Sequence, residues 1–197
     1  LVGHKRRIVS IISLNQLDEY KNWIASCSTG LNIKLWNLSE MKNPIQFTSS
    51  PITPKLKRID SLSIQKGIKG PEISYSIKAH LKSLKCLFQM RDGTMVSNAN
   101  DKKLKFWDIS KKTCIKTIDN VCTITNQSIC ELDNKRLILG CFGSIKIINV
   151  NKSIIETELN EHEVWVNCLC LTKDGLLFSG DSEGLLILWD ISGEEKK

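Results

Sequence analysis

Apolar residues along the chain gather in short runs of strand length that close on a polar residue, and the pattern repeats. Trp36-Asn37, Trp107-Asp108 and Trp189-Asp190 each close such a run, and Ile148-Asn149 closes a fourth, Ser144-Ile-Lys-Ile-Ile148. The closing residues stand 71, 41 and 41 positions apart. Flanking runs such as Leu84-Lys-Cys-Leu-Phe88 and Thr94-Met-Val-Ser97 are rich in residues that suit a pleated, half-buried surface. Asp92-Gly93, Asp133-Asn134 and Asp174-Gly175 each lie 15 positions before a closing residue. Such pairs tolerate the positive φ of tight hairpins, so each unit is expected to be an antiparallel sheet.

Two further landmarks share this frame. Counting back 27 positions from Trp107 and Trp189 reaches His80 and His162, and counting back 32 from Trp36 reaches His4. All three histidines of the chain therefore occupy one repeat position. Counting back 10 from each tryptophan reaches Ser26, Ser97 and Ser179. A period of this size marks a repeat architecture, in which a unit buries its apolar faces only by stacking on its neighbours.

With Gly3-His4 near the start, Trp-Asp closing the units and a period near 41, the chain resembles the WD-repeat β-propeller family. The resemblance covers nearly all of the chain apart from one insert. It implies an all-β fold, a β-propeller of four-stranded antiparallel blades around a channel. About four blades are expected, at residues 1–79, 80–120, 121–161 and 162–197, as an incomplete, open propeller or part of a larger one. Seven residues follow Asp190, so the last blade is expected to lack its fourth strand.

The resemblance also implies a hydrogen-bonded tetrad inside a blade, made by a His before strand a, a Ser on strand b, an Asp in the b–c turn and the strand-c Trp. Blade two matches at all four positions, His80, Ser97, Asp101 and Trp107. Blade four matches at His162, Ser179 and Trp189, with Glu183 where the Asp is expected. Blade one has His4, Ser26 and Trp36, with Gly30 at the Asp position. Blade three has Ile138, Phe142 and Ile148 in place of Ser, Asp and Trp. A Ser, a His and an Asp together also fit a hydrolase triad. Against that, the Ser and His recur in three units, and no strained nucleophile turn surrounds Ser97 in Met95-Val-Ser-Asn-Ala99. Phosphate loops, paired acids and zinc-binding helices are absent from the sequence. The expectation is a non-catalytic protein with no cofactor and no metal.

Composition adds little beyond this. With 41% hydrophobic and 25% charged residues the chain has the balance of a globular protein, and no apolar run approaches the ~18 residues of a membrane helix. Without an export signal, an intracellular protein with no membrane association is expected. Eight cysteines in 197 residues read as reduced thiols, with Cys168 and Cys170 as small buried hydrophobes. The net charge of +7 comes from 23 lysines and 5 arginines that are scattered rather than massed, so protein or peptide partners are favoured and nucleic acid is weakly supported.

All four prolines fall between Trp36 and His80, where an insert is expected at about residues 39–70, and in it Ser50 and Thr53 each precede a proline, as minimal proline-directed phosphorylation sites do. Family resemblance places partner contacts on the d–a and b–c loops. The candidates there are Lys5, Arg6 and Arg7 of blade one, Lys82 and Lys102 of blade two, and Glu163 and Trp165 of blade four. Adjacent arginines suit a carboxylate or phosphate, so a scaffold or substrate adaptor for an acidic or phosphorylated peptide is expected. The alternative is a subunit of an RNA-containing assembly that docks by basic patches, and in either case part of a larger chain or complex.

Overall fold

The computed structural model describes residues 3–40, 73–125, 128–133 and 135–191. They form four antiparallel sheets, each ordered as its strands follow in the chain. The first contains β1 (Ile8–Ser13), β2 (Trp23–Ser28), β3 (Asn32–Asn37) and β4 (Ile73–Lys78), and the second β5 (Leu84–Gln89), β6 (Met95–Ala99), β7 (Leu104–Asp108) and β8 (Thr113–Ile118). The third contains β9 (Ile129–Asp133), β10 (Arg136–Gly140), β11 (Ile145–Asn149) and β12 (Ile154–Leu159). The fourth has three strands among the described residues, β13 (Val166–Leu171), β14 (Leu176–Asp181) and β15 (Leu186–Asp190). This is a four-blade propeller arrangement that does not close into a ring. Most of the expected insert at 39–70, with Ser50 and Thr53, lies outside the described residues. The chain beyond it returns as β4 to pair with β3.

Alternation along the strands puts apolar side chains on both faces of each sheet, and three cores form where adjacent sheets meet. Blades one and two enclose Leu14, Ala25, Ile33, Leu35, Leu87, Met95 and Trp107. Blades two and three enclose Leu104, Phe106, Ile129, Leu137 and Leu139, and blades three and four Ile138, Ile145, Ile147, Val166 and Leu177. Central strands are the most enclosed, and every residue of β6 is buried, whereas the outer strand β8 is mostly exposed.

On the far side of blade four no sheet covers the apolar positions. Leu186 is 66% and Leu188 54% exposed. Cys168 and Cys170 share that face through the pairings Cys168↔Gly180↔Leu186 and Cys170↔Phe178↔Leu188. Both cysteines are exposed, which corrects the expectation that they are buried. Their alternation was read properly, but burial needs a neighbouring sheet.

Two backbone features recur. Strand register slips between Leu35 and Trp36, between Phe106 and Trp107, and between Ile147 and Ile148, where strands c and d pair. The slip persists in blade three, where no tryptophan is present, so it belongs to the twist of the sheet rather than to the indole. In the hairpins, Gly93 and Gly175 adopt φ of +88° and +83°, as the Asp-Gly pairs require.

Blades three and four approach closely at Gly140, where a Cβ would fall 2.6 Å from Val166 Cγ1 and 2.9 Å from Ser128 Cβ. Gly140→Ala should therefore destabilise the protein by about 1–3 kcal/mol, the usual cost of overpacking. Chemical denaturation of Gly140→Ala, Val166→Ala and the double variant checks the cause. The double variant should lose less than the sum of the two single losses.

Candidate functional site

In blade two the indole N–H of Trp107 donates to Ser97 Oγ at 2.9 Å, and Ser97 Oγ lies 2.7 Å from His80 Nε2. His80 Nδ1 is 3.0 Å from each oxygen of Asp101. A carboxylate only accepts, so Nδ1 carries the imidazole proton. Nε2 then accepts from the serine hydroxyl, and the serine oxygen accepts from the indole. Each polar group is satisfied in one consistent direction, which only a neutral histidine allows. Burial lowers the His80 pKa, with the nearby Asp101 charge partly offsetting it. For Asp101, burial acts to raise the pKa, but hydrogen bonds from His80 and from the Leu81 and Lys103 amides outweigh it and hold the carboxyl below its ordinary value.

Blade four has the same chain of bonds with a different carboxylate. Trp189 Nε1 donates to Ser179 Oγ at 2.7 Å, Ser179 Oγ lies 2.7 Å from His162 Nε2, and His162 Nδ1 lies 2.9 Å from Asp181 Oδ2. The assignment of Glu183 to this role is corrected. Both b–c turns span five residues, because Gly180 pairs with Leu186 as Asn98 pairs with Leu104, so Glu183 does stand at the turn position of Asp101. Its side chain is exposed at the turn. Asp181, at the end of β14, is nearly buried, and its Oδ1 accepts from the Glu183 and Leu185 amides, which leaves Oδ2 aimed at His162. Blade two has Ala99 at the corresponding strand position and no such competitor. The sequence signal for Asp181 is its own turn, an Asp two residues before the apex capturing the amides that follow.

Blade one joins His4 Nε2 and Trp36 Nε1 to Ser26 Oγ, each at 2.8 Å, with Gly30 at the turn and no carboxylate on His4 among the described residues. A lysine two positions before the tryptophan supplies another tie, which the sequence reading missed. Lys34 Nζ donates to the carbonyl of Gly3, and Lys105 Nζ to the carbonyl of Ala79, in each case the residue before the histidine.

Blade three has Val121 at the histidine position and none of the tetrad. There a disulfide joins Cys122, one residue beyond that position, to Cys141, one residue before Phe142. The expectation of eight reduced thiols is corrected for this pair; the other six cysteines form no disulfide.

Where the four sheets converge, the ends of the d–a and b–c loops surround a depression of about 600 Å³. Arg7, Ile8 and Val9 line it from blade one, Lys85 from blade two, Thr123, Ile124 and Thr125 from blade three, and Trp165, Asn167 and Ser182 from blade four. No carboxylate is among these residues. Trp165 also borders a second hollow, beside Lys102 and Phe142, and its ring meets Phe142 edge-on at 5.4 Å. Of the partner candidates, Arg7 and Trp165 thus share one depression, and Lys102 shares the other with Trp165. Lys5 and Arg6 line a separate hollow beside His4, while Lys82 and Glu163 are exposed and line none of the three. Lys85 and Phe142 had no sequence signal, since only the stacking of the blades carries them to the rim. Asp181, beside Ser182 of that lining, is turned to His162 instead.

The sequence model of the WD domain, G-beta repeat family matches residues 153–190. Mitochondrial division protein 1 of Eremothecium gossypii is 25% identical over 190 residues, covering 84% of this chain and 24% of that protein. Ribosome biogenesis protein YTM1 of Debaryomyces hansenii is 24% identical, covering 99% of this chain and 44% of that protein. The chain therefore spans less than half the length of either relative. Among solved structures, the computationally designed Ika4 protein superposes with a TM-score of 0.61 at 18% identity, covering 97% of this chain and 95% of that one, a likeness of fold alone. No helix among the described residues is long and apolar enough to cross a membrane.

Ser97→Ala leaves the buried indole N–H and histidine nitrogen without partners and should cost about 1–3 kcal/mol in denaturant titration. Asp181→Ala should lower the thermal midpoint, whereas Glu183→Ala should stay within ~0.5 kcal/mol of the parent; the opposite ranking would return the role to Glu183. Because the folded state lowers the His80 pKa, the unfolded chain binds that proton first on acidification, near about pH 6.5. The His80 contribution is complete above that pH and is lost as pH falls toward the folded-state value. Asp101, also lowered, extends the loss to stronger acid. The midpoint should fall between about pH 7.5 and about pH 5.5, and less steeply in His80→Gln.

Proposed function

We propose that the chain, a four-blade propeller with a matched WD repeat, is a non-catalytic scaffold of the WD-repeat type that seats an acidic segment of a protein partner in the depression where its blades converge. Propellers of this family serve in general as platforms for protein contacts, and the recurrence of the Ser–His pair in three blades supports a structural rather than a hydrolytic role. The observation that carries the reading is the lining itself. Arg7, Lys85 and Trp165 line one hollow that no carboxylate lines, so an acidic side chain can gain two cations while an apolar neighbour covers the indole. Threonine, serine and asparagine groups at Thr123, Thr125, Ser182 and Asn167 offer hydrogen bonds to an extended backbone. Lys102 extends the positive rim beyond Trp165. The same reading places the protein inside the cell.

Titration with a fluorescent peptide of alternating Glu and Leu tests this, with the Lys–Leu analogue as control. The acidic peptide should bind, and the doubly reversed variant Arg7→Glu with Lys85→Glu should weaken it by at least about tenfold, or ~1.4 kcal/mol. Equal affinity for both peptides would remove the site. Binding of polyuridylate that persists at physiological ionic strength would favour the ribonucleoprotein reading instead.

A further inference from the structure

Blade three ties its loops covalently. In blades two and four a His–Asp contact holds the d–a loop against the b–c turn, across 21 and 19 residues of chain. In blade three the Cys122–Cys141 disulfide joins the same two segments across 19 residues. Both ends of the link line the second hollow, and each is joined through its neighbours to the lining of the depression. Cys122 leads directly into Thr123, Ile124 and Thr125, which form one wall. Cys141 starts the turn that carries Phe142 against Trp165, and that turn is bonded to blade four by Val166 N–H to Cys141 O at 3.0 Å and Gly143 N–H to Val164 O at 2.9 Å.

Access fits a bond that exchanges. Cys122 is half-buried and, with Cys141, lines the hollow beside Lys102, so an attacking thiolate meets a cation at the mouth, while Lys146 on the same lining is paired with Glu158 at 3.0 Å. Burial pushes the Cys27 and Cys130 thiols up to about 12, so these do not compete as nucleophiles.

We propose that Cys122–Cys141 is a thiol–disulfide switch that sets the affinity of the depression, a regulation that rests on the peptide-binding reading above. A dithiol supplies the reduction. One of its thiolates attacks Cys122 Sγ, the S–S electron pair passes to Cys141 Sγ, which takes up a proton, and the second thiol then displaces Cys122 from the mixed disulfide. Two electrons and two protons pass to the protein, and the dithiol becomes a cyclic disulfide. In the reduced form the Thr123–Thr125 wall keeps the bonds of Asn98, which donates to Cys122 O and accepts from the Ile124 amide, those of Thr125 to Ser128 and Asn167, and the burial of Val121 and Ile124 against blade two, but loses its covalent tie to the b–c turn. The wall loosens and the site is less ordered before binding. Inside a cell, disulfides are mostly of this transient kind.

The test uses the whole chain with and without dithiothreitol. Alkylation under denaturing conditions followed by mass spectrometry should find six modified cysteines in the oxidised protein and eight after reduction. Hydrogen exchange should quicken at residues 121–125 on reduction while the β6 amides stay protected. The Glu–Leu peptide should bind the oxidised protein at least about threefold tighter. Cys122→Ala with Cys141→Ala should match the reduced protein and ignore dithiothreitol. Peptide binding that is equal in both states, with the six-to-eight thiol change present, overturns the switch and leaves the site standing. No binding in either state overturns the site reading and the affinity control with it, while the exchange result still decides whether the disulfide orders the wall. Eight modified cysteines without reductant overturn the switch outright.

Discussion

Everything in this fold depends on apolar faces of small sheets being pressed against one another. A sheet of three or four short strands has two sides and no interior, so neither side is removed from water until a second sheet covers it. Three such contacts exist, each closed by branched and aromatic side chains from facing strands. Close approach is the limiting condition, and Gly140 marks one such place, because the Val166 side chain occupies the space a Cβ would need. The far face of blade four shows the same rule from the other side. Leu186, Leu188, Cys168 and Cys170 have the pattern of a buried surface and are exposed because no sheet lies against them.

Sheet stacking does not by itself order the loops at the end of the channel. Those loops are fastened blade by blade, and the fastening differs from one blade to the next. A histidine between a serine and a carboxylate does it in blades two and four, a histidine bonded to the strand-b serine alone in blade one, and a disulfide in blade three. In blades one and two a strand-c lysine adds a bond to the carbonyl before the histidine. The common requirement is mechanical. The d–a loop must be held to the b–c turn of its own blade, and hydrogen-bonded polar groups or a covalent bond meet it where burial forbids an unpaired polar atom.

Function follows from where the fastened loops meet. Residues from all four blades reach the depression at the channel end, so its shape is set by the packing of the sheets rather than by any one loop. Arg7, Lys85 and Trp165 are 78 and 80 residues apart in sequence, and only the stacking of the blades makes them neighbours. Loops on such a rigid base hold their recognition groups with little left to order on binding.

The repeat made the fold legible. Strand periodicity, Asp-Gly turns and the 41-residue interval are local in the chain, and the histidine, serine and tryptophan positions inherit that interval, so their meeting within a blade could be read before any coordinate. Legibility ended where two residues compete for one partner or where distant segments meet. Asp181 rather than Glu183 faces His162 because a strand-end carboxylate captures the turn amides and is buried by them, a choice made in three dimensions. Cys122 and Cys141 gave no motif, since nothing in their spacing says that the two loops converge. The sequence by itself determined the blades, because a blade is built from short-range pairing and alternation. Tertiary structure alone decided which faces are covered, which carboxylate completes a tetrad and which charges share a rim, because those depend on how one sheet stacks upon the next.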